Sequence, residues 1–158
     1  TSVRPGKDGS GWEAGKTLSI ADSIEFGRKF AKSTGITADS TVMITAPFHT
    51  ALASCGAMLG TLTAGAKAVM VKPTFDAKGS LETLTRQRVT TLVATSEQLA
   101  EMQELLQADA ASAAPKYAAP FLNVVVSDTA FAASGTAPST FAGASVVNVD
   151  STRDNSAL

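Results

Sequence analysis

Thr41-Val-Met-Ile-Thr-Ala-Pro-Phe-His49 begins with a short apolar run and then contains a proline. The run has the length of a strand, and Pro47 cannot continue a central ladder. The next stretch, Ala51 to Ala64, is apolar or small almost throughout, which predicts a helix buried nearly all round. Ala66 to Val71 then predicts a second strand. Strands that are continuously apolar and separated by a helix are typical of a parallel sheet buried on both faces.

The rest of the chain repeats this alternation on both sides of the opening segment. Three further strands are predicted at Thr90–Ala94, Leu122–Val126 and Val146–Val149. Helices are predicted at Ile20–Ser33, at Ser80–Gln87 and from Ser96 onward, with a connection at Ala108–Pro120 and a helical turn near Pro138–Phe141. The fold class is therefore α/β: a mostly parallel sheet of about five strands with flanking helices. Residues 1–17 form an N-terminal arm or loop, 18–154 a single domain and 155–158 a tail.

The first predicted helix carries its own start signal and a buried face. Ser19 has the side chain of a helix cap. Ile20, Ile24 and Ala31 recur at helical spacing with Phe30 beside them, so these four residues are expected to face the core.

Composition excludes several classes of function. The formal net charge is −1 with acidic and basic residues intermixed, which leaves no cationic surface for nucleic acid. The longest apolar runs are too short for a transmembrane helix.

The single cysteine, Cys55, excludes an internal disulfide, and its apolar surroundings predict a buried, inert thiol. One histidine and one cysteine leave no zinc site. The methionines are expected to fill the core: Met43, Met58, Met70 and Met102.

An ordered series of motifs resembles the adenylate-forming acyl-CoA synthetases, the superfamily that includes the luciferases. Each motif is weak alone, but together they follow the family's order from about Thr1 to Asp154. The matching segments are Met43–His49, Leu62–Ala66, Val69–Asp76, Arg86–Leu92, Leu122–Ala130 and Val146–Arg153. The resemblance implies one subdomain of the synthetase N-terminal domain.

The family's phosphate-binding loop is poorly matched. Thr1 and Ser2 resemble its opening, and Lys7 is a candidate for its lysine. Pro5 removes an amide donor, however, and Asp8 places negative charge where a phosphate would lie. The resemblance therefore implies a degenerate loop, and we expect a solvated or partner-bound arm.

Two further ligand motifs of the family are also altered. Ser127–Phe131 matches the adenine-binding loop, but Asp128 occupies a position where the family has small residues. In the last motif Thr152 matches the phosphate-contacting threonine, whereas Arg153 replaces the carboxylate that holds Mg²⁺. Asp154, one position on, would point to the opposite face. The resemblance also ends before the family's hinge and catalytic lysine, so no cofactor and no metal are expected.

His49 is the one chemically capable residue that the resemblance retains. In the family its position lines the acyl and CoA side of the pocket, so a residual pocket remains one interpretation. A hydrogen-bonded structural histidine is the other.

These observations predict a non-catalytic, synthetase-like accessory or structural subunit that binds other protein subunits. The alternatives are an acyl- or CoA-binding module, and part of an AMP-forming acyl-CoA ligase. The absence of a methionine at Thr1 favours an imported, mitochondrial protein over a cytoplasmic one.

Overall fold

A six-stranded sheet forms the centre of the molecule. A computed structural model describes residues 3–5, 12–14, 19–50, 52–128 and 140–149, and of residues 3–5, 12–14 and 140 it describes the backbone alone. The strands of this sheet are β3 (Thr41–Ile44), β4 (Lys67–Met70), β5 (Thr91–Thr95), β6 (Val124–Asp128), β7 (Thr140–Phe141) and β8 (Ala144–Val149). Two earlier strands, β1 (Val3–Pro5) and β2 (Trp12–Ala14), pair with each other in a separate antiparallel ribbon.

The sheet has the order β4-β3-β5-β6-β8-β7. Five strands run parallel, and β7 joins the far edge antiparallel to β8. The prediction of a mostly parallel sheet of about five strands is confirmed. Numbered among themselves, the five parallel strands follow the order 2-1-3-4-5, in which the chain reverses direction across the sheet between β3 and β5.

Helices cover both faces of the sheet. They are α1 (Ile20–Thr34), α2 (Leu59–Ala64), α3 (Ala77–Arg86) and α4 (Ser96–Ala110), with a π-helical segment at Leu52–Met58 that leads into α2. Ser19 caps α1 as predicted, because its hydroxyl accepts a hydrogen bond from the Asp22 amide at 3.1 Å. Gly35 and Gly65 end α1 and α2 in the left-handed conformation that glycine adopts without strain.

The alternating side chains of the strands divide the core in two. On one face Met43, Leu92 and Val125 pack against α3 and α4. On the other, Val42, Val93 and their neighbours pack against α1 and the π-helical segment. The central strands β3, β5 and β6 therefore contribute to both clusters, as expected of a parallel sheet that is covered on both sides.

The helices α1 and α2 touch backbone to backbone. A Cβ atom added to Gly27 would lie 2.8 Å from the Gly60 nitrogen, and one added to Gly60 would lie 2.7 Å from the Gly27 carbonyl oxygen. Near this crossing, Gly56 faces the ring of Phe26, which also belongs to α1. Small residues at these positions allow the two helices to pack this closely.

Several details differ from the sequence-based expectations. Ile20 is 82% exposed, because the first turn of α1 extends past the layer that it covers, although Phe30 and Ala31 are buried as predicted. Leu62 is 59% exposed, so α2 is buried on one side rather than all round. Cys55 is only half-buried, with its sulfur 3.9 Å from the Ser23 hydroxyl. Met70 is half-exposed at the sheet edge and does not fill the core.

Element boundaries also differ from the prediction. Helix α3 begins at Ala77 rather than Ser80, and α4 extends to Ala110, into the start of the stretch predicted to be a connection. Instead of a helical turn, Thr140–Phe141 forms the edge strand β7, and the buried Phe141 ring packs into the α3–α4 core. The arm contains the two strands β1 and β2, which the sequence did not predict.

Candidate functional site

The carboxyl ends of the parallel strands converge at one edge of the sheet. In open α/β sheets, ligands bind in the crevice outside these ends, at the point where the strand order reverses. Here that point lies between β3 and β5. The candidate site is therefore built from the residues that follow β3, β5 and β6.

The segment after β3 carries the predicted residue His49. Thr45 and Ala46 are buried, and both of their amides donate to the Val93 carbonyl, at 2.8 and 3.2 Å, which holds the strand end against β5. Phe48 and His49 follow in an exposed turn, with Phe48 39% exposed. His49 thus lies on the carboxyl edge, and its role as a pocket residue or as a structural histidine stays a prediction.

The side chain of Gln98 closes the gap between β3 and β5. Its amide nitrogen donates to the Thr45 carbonyl at 3.1 Å, and its Oε1 accepts from the Thr95 amide at 3.1 Å. The Thr45 hydroxyl lies 2.9 Å from the same Oε1. The polar groups at the reversal point are therefore engaged with one another.

No loop separates β5 from α4. Thr95 is the last residue of the strand and also the cap of the helix, since its hydroxyl accepts from the Gln98 amide at 3.2 Å. Together with the return bond from Thr95 to Gln98, this forms a complete capping box. Loops after strands supply most ligand contacts in such folds, so the middle of this edge offers few.

The end of β6 places the predicted residue Asp128 in the interior. Ser127 and Asp128 are both 0% exposed, and Asp128 lies in register with Thr95 on β5 and Val149 on β8. The Ser127 hydroxyl is buried and has no hydrogen-bond partner among the described residues. A buried charged residue thus occupies the strand end where the resemblance implied a small one.

The remaining predicted positions lie outside the described residues. They are Thr1, Ser2, Lys7, Thr152 and Arg153, together with Asp8 and Asp154. Of the segment matched to the phosphate loop, the backbone of β1 is described, with Pro5 at its end paired with Trp12. The structure therefore brings Asp128 to the same sheet edge as His49 and leaves the other assignments as predictions.

Sequence reasoning missed Thr45, Thr95 and Gln98. The signal for two of them was present in Thr95-Ser-Glu-Gln98, because a threonine followed three residues later by glutamine marks a capping box. Thr45 had no such signal, since its contacts to Val93 and Gln98 depend on the strand order.

The described residues contain neither a metal-binding cluster nor a membrane-spanning helix. Residues 19–50, 52–128 and 140–149 contain no group of three or more histidine, cysteine, aspartate or glutamate side chains placed to hold a metal. Within the same part of the chain, no helix is long and apolar enough to cross a membrane.

Comparison with known proteins identifies the fold. No protein-family model matches the chain, and no similar curated protein is found. Among solved structures, Mycobacterium smegmatis MbtA in its apo form superposes with a TM-score of 0.62 at 14% identity, over 81% of this chain and 21% of that one. The inhibitor-bound N-terminal domain of FACL13 from Mycobacterium tuberculosis gives 0.59 at 16% identity, over 81% and 30%. A long-chain-fatty-acid-CoA ligase, FadD1 from Archaeoglobus fulgidus, gives 0.55 at 16% identity, over 68% and 20%.

These likenesses agree with the resemblance seen in the sequence. The chain spans 20–30% of the length of the three structures. At this identity the comparison concerns the fold, and the matched part extends over most of this chain. The chain thus has the α/β fold of part of the N-terminal domain of the adenylate-forming acyl-CoA ligases.

Proposed function

We propose that this chain is a non-catalytic, acyl-CoA synthetase-like subunit with an accessory or structural role in a larger protein assembly. The observation that carries the proposal is the closed carboxyl edge of the sheet. At the reversal point, Gln98 engages the ends of β3 and β5, so a ligand would have to break several internal hydrogen bonds to enter there.

Asp128 supports the same proposal through its size. It is fully buried at the end of β6, beside the end of β5. Its side chain fills space close to where the triphosphate and base of a nucleotide would approach. Adenylation depends on positioning and neutralising phosphates, and an acidic side chain at this edge supplies no positive charge for that purpose.

The sequence adds independent support at positions outside the described residues. Asp8 and Pro5 disfavour a phosphate-binding loop, and Arg153 reverses the charge expected at a magnesium site. A domain that retains its core while losing these groups is best suited to a role that uses its surface.

An acyl- or CoA-binding module is the second candidate. The exposed Phe48 ring and His49 lie together on the carboxyl edge, where an acyl or pantetheine group would have one apolar and one polar contact. This function requires no phosphate loop. The third candidate, part of an AMP-forming ligase completed by another polypeptide, is compatible with the fold.

Calorimetric titration of the full chain separates the three candidates. We expect no heat with ATP–Mg²⁺, with a non-hydrolysable acyl-adenylate or with acyl-CoA, and no ATP–pyrophosphate exchange over a panel of carboxylic acids. Binding of acyl-CoA that is lost in His49→Ala would favour the second candidate. Pyrophosphate exchange that is lost in Thr152→Ala would overturn the proposal in favour of the third.

The accessory role is tested in native extract. We expect the chain to migrate on a native gel with an assembly far larger than its own 16.1 kDa, and to fractionate with mitochondria. Migration as a free monomer would contradict the accessory role, and recovery in the cytosol would contradict the proposed compartment.

A further inference from the structure

A second concave surface lies at the carboxyl end of the edge strand β4, apart from the reversal point. It is a cavity of about 200 Å³ between the end of β4 and the first turn of α3. Met70 and Val71 supply its apolar wall, and Lys72, Thr74, Asp76 and Ser80 supply its polar groups. Because β4 is parallel to its neighbour, the cavity occupies the sheet edge at which α/β proteins bind ligands.

Ser80 is the most informative of these residues. Its side chain is only 3% exposed, and its hydroxyl makes no hydrogen bond with any part of the chain that the structure describes. Two other hydroxyls on the same helix behave differently: Thr83 donates to the Gly79 carbonyl at 2.8 Å, and Thr85 donates to the Leu81 carbonyl at 2.9 Å. Enclosed polar atoms without a partner occur among the described residues at Gln103 and Ser127 and not at Ser80, so the Ser80 hydroxyl opens onto the cavity, where a bound group can meet it.

The start of α3 is likewise incompletely satisfied. Asp76 holds the cap position, but its side chain makes no capping hydrogen bond. Its Oδ2 lies 2.7 Å from the point that a Cβ on Gly79 would occupy, so the carboxylate leans over the first turn where glycine leaves room. The first-turn amides of a helix attract anions.

The charges at the rim are of opposite sign. Lys72 and Asp76 both line the cavity, and neither forms an ion pair with the described residues. A ligand that carried one charge alone would meet one attractive and one repulsive group. A ligand that carried both would satisfy the two together.

We propose that this cavity binds a small zwitterion of the free amino acid class. The ligand's carboxylate faces Lys72, its ammonium faces Asp76 over the first turn of α3, and a polar group accepts from or donates to Ser80. A volume of about 200 Å³ corresponds to roughly six or seven water molecules, which suits a molecule with about that number of non-hydrogen atoms.

The test is an NMR titration of the ¹⁵N-labelled full chain with L-serine, and in parallel with acetate and with methylammonium. We expect L-serine to cause saturable chemical-shift changes in the amides of Thr74 to Ser80. Acetate and methylammonium should cause smaller changes, whether added singly or as a mixture. Shifts that stay linear into the high millimolar range, or an equal response to acetate alone, would overturn the proposal.

Variants tie the shifts to the cavity. Lys72→Gln and Asp76→Asn should each weaken binding about two- to fivefold, as expected for losing one rim ion pair. Lys78→Gln is the matched control, because Lys78 is an exposed lysine on α3 that does not line the cavity. Ser80→Ala should weaken binding without lowering the unfolding midpoint, since the hydroxyl borders the cavity and makes no hydrogen bond with the described residues. Unchanged affinity in all three cavity variants would contradict the proposed site.

Discussion

Gly27 and Gly60 are the residues at which α1 and α2 come into direct backbone contact. Each lies less than 3 Å from the other helix, measured from an added Cβ atom, and the atoms that this Cβ would meet include backbone. Backbone cannot rotate away as a flexible side chain can. The packing of the two helices therefore depends on the absence of two methyl groups.

Replacement of Gly60 by alanine should destabilise the protein. Overpacking costs about 1–3 kcal/mol, which exceeds the gain of up to about 1 kcal/mol in helix propensity. Urea unfolding would show a lower midpoint for Gly60→Ala. Gly79→Ala in α3 is the matched control, because its Cβ meets only the mobile end of Asp76 and its unfolding midpoint should stay the same or rise. Equal midpoints for the two variants would contradict the close helix contact.

Gln98 joins three parts of the carboxyl edge through a single side chain. Gln98→Ala would leave the Thr95 amide and the Thr45 carbonyl without partners in a partly buried place, so we expect a loss of about 1–3 kcal/mol. The control is Gln107→Ala on the same helix, where the side chain is exposed and should contribute little. Equal unfolding midpoints for the two variants would contradict the hydrogen bonds by which Gln98 joins the ends of β3 and β5.

At the scale of elements, the parallel strands could be predicted from the sequence more reliably than the short strands or the exposure of individual side chains. All five parallel strands are found within two residues of their expected bounds, because continuous apolar runs have few other stable environments than a buried sheet. The cap of α1 could be predicted at Ser19, because a serine directly before a helical pattern is itself the signal. The short strands β1, β2 and β7 could not be predicted, because they form only by pairing with a partner. The exposure of Ile20 and Leu62 depends on where the neighbouring layers of the fold end. The hydrophobic periodicity of a helix carries no information about that.

The candidate site was predicted only in part, for a related reason. His49 and Asp128 are each indicated by a separate motif of the family resemblance, and both lie at the carboxyl edge of the sheet. The closure between them arises from the Thr45–Gln98 contact, which joins residues 53 positions apart. Gln98 belongs to a capping box, but no sequence pattern indicates that its side chain meets Thr45.

Helix α1 offers a clean test of a predicted local interaction. Ser19→Ala removes the hydroxyl that accepts from the Asp22 amide, and such changes cost about 0.5–2 kcal/mol. Ser19→Asp restores an acceptor at the same place and should recover most of the stability in thermal unfolding. If the aspartate variant is as unstable as the alanine variant, the cap does not act through this hydrogen bond.

At the scale of the whole molecule, the strand order predicts a gradient of stability. The central strands β3, β5 and β6 are paired on both sides and covered by both clusters, whereas β4 has one neighbour among the described strands. Amide hydrogen exchange should therefore be slowest in residues 42–44, 92–94 and 125–127 and faster in 67–70. Mass spectrometry of peptic fragments would measure this, and β6 exchanging as fast as β4 would contradict the strand order.

The direct passage from β5 into α4 has a consequence for how the molecule can change over evolutionary time. Point substitutions can replace Gln98 or Asp128, but none can lengthen the connection between Thr95 and Ser96. A binding loop at the middle of this edge can arise only by insertion of residues. Any insertion would also separate Thr95 from the helix that it caps, so the first step would cost stability before a new pocket gave any benefit. The junction thus makes a new binding loop at the reversal point much harder to acquire than a changed side chain.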